Sequence, residues 1–254
     1  MIELQQVSLT TAAWRSPQHR SNLVAQPVLQ DLNLTFPAGQ IVGIVGANGA
    51  GKTSLLKLLN RLVDPNQGQL QFQGKPYGDI APSALRQQIR LVLQEPQLLG
   101  LTVADAIVQG LQIQSPSETD LTAARSLWCE RLQIPADWLP LTATGLSLGQ
   151  QQWVAIARTI ACEPPVLLLD EPTAHLDLTY RDKLSHVLRR LHPSTTPLIV
   201  IVSHDWQWLS QIADRVIHLQ AGHIIQDALT PTLDWPQLAE TLQATQQALA
   251  DEWA

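Results

Sequence analysis

The sequence predicts an α/β fold built on a mostly parallel sheet. Four short apolar runs are separated by stretches with helical periodicity, which is the pattern of strands that are buried on both faces. The runs are Ile41 to Val45, Leu91 to Leu93, Val166 to Leu169, and Leu198 to Val202. A polar or glycine-rich segment follows each run directly, and the carboxyl ends of parallel strands meet at one edge of a sheet. The groups that follow the four runs are therefore expected to converge on one ligand site.

Composition narrows the class of protein. A chain of 254 residues with 45% apolar residues can bury a full core as one large domain, or as one domain that carries a subdomain. The formal net charge of -6, without any cluster of Lys and Arg, argues against a nucleic-acid partner. Cys129 and Cys162 lie far apart and lack metal-ligand spacing, so we expect them to be packing residues in a reducing cytosol.

The sequence contains neither a signal-peptide pattern nor a membrane-spanning segment. The N-terminus MIELQQVSLT has no basic start followed by an apolar run. No window reaches the roughly 18 continuous apolar residues that a membrane helix requires. We therefore expect a chain that is soluble by itself.

The segments between and beyond the apolar runs predict the domain organisation. Residues from about 95 to 160 have mainly helical patterns, and we interpret them as a helical subdomain inserted into a domain that spans residues 1–229. The segment from Arg15 to Pro27 is polar and flanked by proline, which is typical of a surface loop. Residues 230–254 are expected to form a C-terminal helical tail of one or two short helices.

The segment GANGAGKT, residues 46–53, fits the pattern G-x-x-x-x-G-K-[ST] between a buried strand and an amphipathic helix. Its glycines allow a tight turn, so that backbone N–H groups and the start of the helix face phosphate oxygens. Lys52 is expected to neutralise the β- and γ-phosphates of ATP. The flanking elements disfavour a chance glycine-rich turn beside a structural lysine. The predicted ATP contacts are Gly46, Ala47, Asn48, Gly49, Ala50, Gly51, Lys52, Thr53 and Ser54.

Carboxylates after the third run predict a hydrolytic site. The Thr53 hydroxyl and the Asp170 carboxylate, which follows four apolar residues, are the expected protein ligands of Mg²⁺. Glu171 is the candidate general base that orients a water molecule on the γ-phosphorus. A purely structural Glu171 would leave two adjacent carboxylates without a cation near them, which is energetically costly.

Single polar residues follow the second and fourth runs. His204 is expected to donate to the γ-phosphate, and Gln94 to hold the attacking water or to complete the Mg²⁺ shell. Taken alone, each residue would more often be an ordinary surface or core residue. Their assignment therefore depends on the whole set.

The segment LSLGQ, from Leu146 to Gln150, resembles the LSGGQ signature of the ATP-binding cassette (ABC) family, and it precedes the Asp170 strand as the family arrangement requires. The resemblance extends from about Ile2 to Asp227. It implies a P-loop NTPase (RecA-like) core with a mostly parallel sheet, an N-terminal antiparallel β subdomain and an inserted α-helical subdomain. It also implies a head-to-tail dimer with a second copy, in which one copy's signature contacts the γ-phosphate held by the other. The signature contacts are expected from Ser147, Gly149 and Gln150, at a helix start that suits an anion.

The same resemblance assigns further positions. Gln94 corresponds to the Q-loop residue, His204 to the switch histidine, and Thr173 to Asp177 (TAHLD) to the D-loop, with Asp177 near the attacking water at the dimer contact. The aromatic residue that stacks on adenine would fall near Thr11 by simple register. The candidate is therefore Trp14 instead, and an ordinary aromatic residue of the loop is the alternative interpretation.

Two positions depart from the family pattern. Leu148 stands where the signature usually has its first glycine, which keeps the N–H group and adds bulk close to the phosphate. Trp153 stands where the helix after the signature commonly carries Arg. The first departure bears on how tightly a dimer closes, and the second removes a charge.

The resemblance implies an ATP-hydrolysing ABC transporter subunit, peripheral on the cytoplasmic face of the inner (plasma) membrane through a separate transmembrane permease. The stretches LLNRLVDPNQG and ALRQQIRLVLQEPQLLGLTVADAI are most similar to a small bacterial subgroup of iron- or phosphate-related transport ATPases, in particular iron exporters. A soluble ABC ATPase that energises assembly of a cytosolic complex, as in iron–sulfur cluster biogenesis, shares every motif and remains an alternative. A chromosome-maintenance or DNA-repair ATPase would need a long coiled coil and a basic surface, and the sequence has neither.

Overall fold

Strands and helices alternate along the computed structural model, which describes residues 1–11, 25–112, 117–195 and 197–251. The strands are β1 Ile2–Thr10, β2 Pro27–Phe36, β3 Ile41–Val45, β4 Gln67–Phe72, β5 Lys75–Pro76, β6 Ile89–Val92, β7 Val166–Asp170, β8 Leu198–Val202, β9 Arg215–Gln220 and β10 His223–Leu229. The helices are α1 Lys52–Leu59, α2 Pro82–Gln88, α3 Val103–Gln112, α4 Glu118–Arg131, α5 Leu148–Ile160, α6 Leu178–Thr195, α7 Trp206–Ile212 and α8 Trp235–Asp251.

The central sheet has the strand order β10-β9-β3-β8-β7-β6 over the described residues. Its pairs from β9 to β6 are parallel, and β10 pairs antiparallel with β9 at one edge. Every residue of β3, β7 and β8 is buried. Alternate side chains of these strands enter two different apolar clusters, as a pleated strand covered on both faces requires.

A second, antiparallel sheet has the order β2-β1-β4-β5 within the described ranges. Ile2 at the start of β1 pairs with Phe36 at the end of the antiparallel strand β2, and both of these side chains are fully buried. They share one apolar cluster with helix α1 and with one face of the central sheet. The predicted α/β class with a mostly parallel sheet and an N-terminal antiparallel sheet is confirmed.

Three helices, α3, α4 and α5, lie between β6 and β7 in the described part of the chain. Helix α4 begins with a capping box, in which Ser117 accepts from the Asp120 N–H and the Asp120 carboxylate accepts from Ser117 N–H. Trp128 and Trp153 pack in the cluster that covers the other face of the sheet. The helical region therefore shares a core with the sheet and does not stand apart from it.

Some boundaries differ from the sequence expectation. Strand β6, which corresponds to the second predicted run, begins at Ile89, two residues before the predicted Leu91. Leu93 lies beyond the end of this strand, with 39% of its surface exposed. Pro27 begins β2, whereas the rest of the predicted loop falls mainly on residues 12–24, outside the described residues. The tail forms a 3-10 turn, Thr230–Thr232, and the 17-residue helix α8, because Leu238 and Leu242 pack on the main core.

Within the part of the chain that the structure describes, no helix combines the length and apolar character needed to cross a membrane. Cys129 and Cys162 are free thiols and partly buried.

Candidate functional site

The glycine-rich loop and the polar residues beyond three strands line one cleft at the carboxyl edge of the central sheet. The cleft has a volume of about 390 Å³. Its lining comes from the loop between β3 and α1, from β2, and from the ends of β6, β7 and β8. The residues are Val28, Asn48, Gly49, Ala50, Gly51, Lys52, Thr53, Ser54, Gln94, Glu171, Val202 and His204. The convergence expected from the sheet topology is thus observed.

Two of the loop glycines are required by close packing. A Cβ atom at Gly46 would lie 2.1 Å from the Leu219 carbonyl oxygen, and one at Gly51 would lie 2.8 Å from the Val28 carbonyl oxygen. Gly51 also has φ +102°, in the left-handed region that favours glycine. A Cβ atom at Gly49 would meet no described atom within 4 Å, so its side of the loop is open. The loop therefore packs closely against β9 and β2 on one side and is open toward the cleft on the other.

Lys52 places its ammonium group at the centre of the loop. Its Nζ donates to the carbonyl oxygens of Gly46 at 2.7 Å and Ala47 at 3.0 Å, and the residue is 7% exposed. Burial lowers the pKa of Lys52, while the carboxylates of Glu171 and Asp170 act in the opposite direction. A buried cation at the start of a helix suits an anionic ligand.

Thr53 and Asp170 lie in direct contact, although they are far apart in sequence. The Thr53 hydroxyl donates to Asp170 Oδ1 at 3.1 Å. Burial raises the pKa of Asp170, and the Thr53 hydroxyl and two nearby lysines partly offset this. Mg²⁺ prefers oxygen ligands and is commonly held by one carboxylate, a hydroxyl and substrate phosphates rather than by an all-protein cage. This hydroxyl and carboxylate fit that requirement.

Glu171 and His204 form a second polar pair beside the loop. The His204 N–H donates to Glu171 Oε2 at 3.1 Å, and His204 Nε2 lies 3.4 Å from Glu171 Oε1. Burial raises the pKa of Glu171 to about 6, against the lowering effects of the His204 N–H and Lys52. Glu171 also has φ +47°, a left-handed conformation that is uncommon for a non-glycine residue.

The imidazole of His204 is partly exposed and faces the cleft. Burial lowers its pKa, and the positive charge of Lys52 lowers it further. Both effects favour the neutral form of the imidazole. Gln94, which follows the end of β6, is exposed and lines the same cleft.

The predicted signature residues lie outside the lining of this cleft. Ser147 is the N-cap of α5, where its Oγ accepts from the Gln150 N–H at 3.3 Å and Gln150 Oε1 accepts from the Ser147 N–H at 2.8 Å. Gly149 approaches the loop after β7 closely, since a Cβ atom there would lie 2.5 Å from the His175 carbonyl oxygen. Leu148 is 49% exposed beside them.

Asp177 caps the helix that follows its loop. Its Oδ1 accepts from the Tyr180 N–H at 2.9 Å at the start of α6, and the residue is exposed. Trp14, the candidate for adenine stacking, lies outside the described residues, so this prediction stays a prediction.

Sequence reasoning missed some residues around the site. Val28 lines the cleft from β2, and no motif marks it. Asp205, next to His204, caps α7 through the Trp208 N–H at 2.9 Å and pairs with Arg181 at 3.3 Å. An Asp directly before a short helical pattern is a recognisable N-cap signal that could have indicated the first of these contacts.

Comparisons with known proteins found similar sequences and a matching family model. A family model described as ABC transporter matches residues 29–174. The rice (Oryza sativa subsp. japonica) protein STAR1 is 36% identical over 212 residues, which cover 84% of this chain and 61% of that protein. The aliphatic sulfonates import ATP-binding protein SsuB 1 of Rhizobium johnstonii is 37% identical over 206 residues, covering 80% of this chain and 72% of that protein.

Solved structures have the same fold. The dimeric post-hydrolysis structure of the ATP-binding cassette MJ0796, bound to ADP and Pi, superposes with a TM-score of 0.80 at 25% identity. The match covers 91% of this chain and 99% of that chain. The chain spans about three fifths of the length of the rice protein, so the similarity concerns the part they share.

Proposed function

The chain belongs to the ABC transporter family, as one of its ATP-binding cassettes, and from this premise we propose that it hydrolyses ATP within a head-to-tail dimer that drives a separate membrane permease. One observation carries the proposal. Lys52, the Thr53–Asp170 contact and the Glu171–His204 pair, which come from different parts of the sequence, line the same cleft or touch its lining.

The loop supplies the phosphate-binding contacts. Backbone N–H groups of the loop, the start of α1 and the Lys52 ammonium would bind the β- and γ-phosphates. When bound, Mg²⁺ would neutralise charge on the phosphate oxygens, with Thr53 and Asp170 as its protein ligands. The Lys52 contacts to the Gly46 and Ala47 carbonyls would then be exchanged for contacts to phosphate.

Glu171 would orient and deprotonate the attacking water. With a pKa of about 6 it is largely ionised near pH 7, yet basic enough to accept a proton. His204 would donate from its neutral imidazole to the γ-phosphate. A hydrogen bond from its backbone N–H to Glu171 holds the residue beside the cleft. Gln94, which lines the same cleft, would hold the water or complete the Mg²⁺ shell.

The second copy would complete the site. Ser147 and the start of α5 lie outside their own protomer's cleft, and the N–H groups of this helix terminus would bind an anion. A partner's Ser147, Gly149 and Gln150 would therefore cap the γ-phosphate, with Asp177 at the same contact. The dimeric arrangement of MJ0796 supports this proposal.

A groove beside Gln94 is the proposed contact for the permease. It has a volume of about 450 Å³ and lies between the end of α1, the loop after β6, and helices α3 and α5. Leu62, Leu93 and Leu99 are 47%, 39% and 66% exposed there, and Arg86 and Arg90 line the same groove. An amphipathic permease helix with an acidic side chain would suit this surface. The protein would then lie at the cytoplasmic face of the inner membrane through its partner.

Hydrolysis is tested by the ATPase rate and ATP affinity of the purified chain and three variants. We expect Glu171→Gln to bind ATP but to lose at least about a hundredfold in kcat, because it keeps the shape and loses the base. Lys52→Ala should lose ATP binding. Lys75→Ala, an exposed lysine on β5, is the matched control and should behave like the wild type. Equal rates for wild type and Glu171→Gln would overturn the assignment.

The partner is tested by copurification from native membranes. Recovery of a multispan membrane protein, lost in a Leu93→Asp and Leu99→Asp double variant, supports the permease contact. Recovery with soluble scaffold proteins instead would favour the assembly ATPase. The similarity to iron- and phosphate-related transport ATPases remains a prediction about the transported substrate.

A further inference from the structure

The C-terminal tail contacts the segment that carries His204. Trp206, two residues after His204, is the first residue of α7, and Trp235 is the first residue of α8. Their rings are stacked, with centroids 6.1 Å apart and planes inclined by 22°. Both residues are half-buried. The contact therefore joins the tail to α7, which begins two residues after His204, the proposed hydrogen-bond donor to the γ-phosphate.

The chain turns sharply between His204 and Trp206, and each residue of this corner has a different anchor. The His204 N–H donates to Glu171 Oε2 at 3.1 Å, and Asp205 Oδ2 lies 3.3 Å from Arg181 Nη1 on α6. A hydrogen bond from the Trp206 N–H to the His204 carbonyl at 3.0 Å closes the corner. The ring of Trp206 is then the point at which the tail touches it.

The tail itself is held independently of this contact. The Thr230 N–H donates to the Asp214 carbonyl at 2.9 Å, and Leu233 and Leu238 are buried in the same apolar cluster as Leu209 of α7. Asp234 caps the start of α8 by accepting from the Gln237 N–H at 3.0 Å. Trp235 is therefore presented from a fixed position.

We propose that Trp235 is a positioning residue for ATP hydrolysis, which holds His204 in place through its stack on Trp206. This inference rests on the proposed function of the cleft. Trp235 itself does not line the cleft, so its effect is carried entirely by the corner at residues 204–206. The tail then contributes to the catalytic rate although it lies outside the family model's matched residues 29–174.

The expected signature is kinetic. Trp235→Ala should lower kcat about tenfold, since a small displacement of a group that acts at the reacting phosphate is costly. The KM for ATP should stay within about twofold, because the loop and Lys52 supply most of the binding contacts. Trp235→Phe keeps an aromatic ring at this position and should retain most of the wild-type kcat. Leu242→Ala, on the same helix and packed on the same cluster, is the matched control and should keep the wild-type rate.

A double-mutant cycle with His204→Ala separates positioning from general damage to the fold. If Trp235 acts through His204, Trp235→Ala should lower the single-turnover rate in the wild-type background and leave it unchanged in the His204→Ala background. Equal, multiplicative losses in both backgrounds would overturn the inference, as would a wild-type rate in Trp235→Ala. Should Trp235→Ala fail to fold, the same cycle is run with Trp206→Phe and Trp235→Leu. A wild-type chain without ATPase activity would instead contradict the proposed function.

Discussion

Glu171 is a carboxylate placed where ionisation is unfavourable. Its side chain is 11% exposed, and burial raises its pKa from an ordinary 4.5 to about 6. Oε1 lies 3.4 Å from His204 Nε2 but accepts no hydrogen bond from the described residues. The folded protein therefore binds this proton more tightly than the unfolded chain does, and folding stability falls as the pH rises from 4.5 to about 6.

Glu171→Gln should therefore stabilise the protein without nucleotide at neutral pH. The pKa difference corresponds to about 2 kcal/mol, and the amide oxygen can still accept from the His204 N–H. Urea unfolding at pH 7.5 should show the variant to be more stable by about 1–2 kcal/mol, and the difference should vanish near pH 4.5. Glu240→Gln, on the exposed face of α8, is the control and should leave the free energy of unfolding at pH 7.5 unchanged. A variant less stable at pH 7.5 would refute the interpretation.

Trp153 occupies a core position at which the family resemblance predicted an arginine. It is 1% exposed, its Nε1 donates to the Leu132 carbonyl at 3.1 Å, and its ring lies 5.4 Å from that of Tyr180. The adjoining groove is lined by Arg131, Lys183 and Arg190 as well as by Asp182. A further cation there would meet mostly like charge.

Trp153→Arg should accordingly destabilise the chain by about 3 kcal/mol or more, because it buries a charge in a site that is already basic. Trp153→Phe keeps an apolar ring and is the comparison, with a smaller loss from the cavity it leaves. The free energy of unfolding of both variants measures whether the arginine costs more stability than the phenylalanine does. Equal stability of the two would show that the guanidinium finds a partner.

At the scale of elements, helix α5 and the loop after β7 are in backbone contact. The Cα of Gly149 faces the His175 carbonyl so closely that a Cβ atom would lie 2.5 Å from its oxygen. This contact joins the start of the signature helix to the segment that ends in Asp177. The two proposed dimer-contacting segments are therefore fixed relative to each other within one protomer.

Gly149→Ala should force these segments apart. Because the opposing atom belongs to the backbone, we expect a loss of about 1–3 kcal/mol in stability, together with weaker ATP-dependent dimerisation. Gly145→Ala is the matched control, since its nearest atoms are Leu141 side-chain carbons at 3.4 Å. Melting temperatures and sedimentation with ATP would measure both effects. Identical behaviour of the two variants would contradict the structural role of the contact.

Features of the fold and of the site could be predicted from the sequence where the residues that define them are contiguous. The loop from Gly46 to Thr53 was predictable because its pattern, its strand and its helix are contiguous. Strand β9 was missed, since Arg215 and Gln220 at its ends, and the buried polar His218 within it, interrupt the apolar run. The Trp206–Trp235 stack was unpredictable, because it depends on how the tail packs after the sheet has formed.

At the scale of the whole molecule, the sheet is a rigid platform between two apolar clusters. Its parallel strands bring the loop, the carboxylates and His204 to one edge, while α5 carries Ser147 outside that cleft. In the proposed function, one protomer holds both halves of a phosphate site without joining them, and a complete site forms when the two halves meet in a pair of copies.

The most direct measurement mixes two variants, each of which lacks one half of the proposed site. Both carry Glu171→Gln, which is expected to prevent hydrolysis. Lys52→Ala removes phosphate binding, and Ser147→Arg blocks the capping turn. With ATP and Mg²⁺, sedimentation should show each variant alone as a monomer and the mixture as a heterodimer with one ATP, because only the mixture contains one intact composite site. A mixture that stays monomeric while the unmodified Glu171→Gln chain dimerises, or a Ser147→Arg variant that dimerises alone, would contradict the shared site.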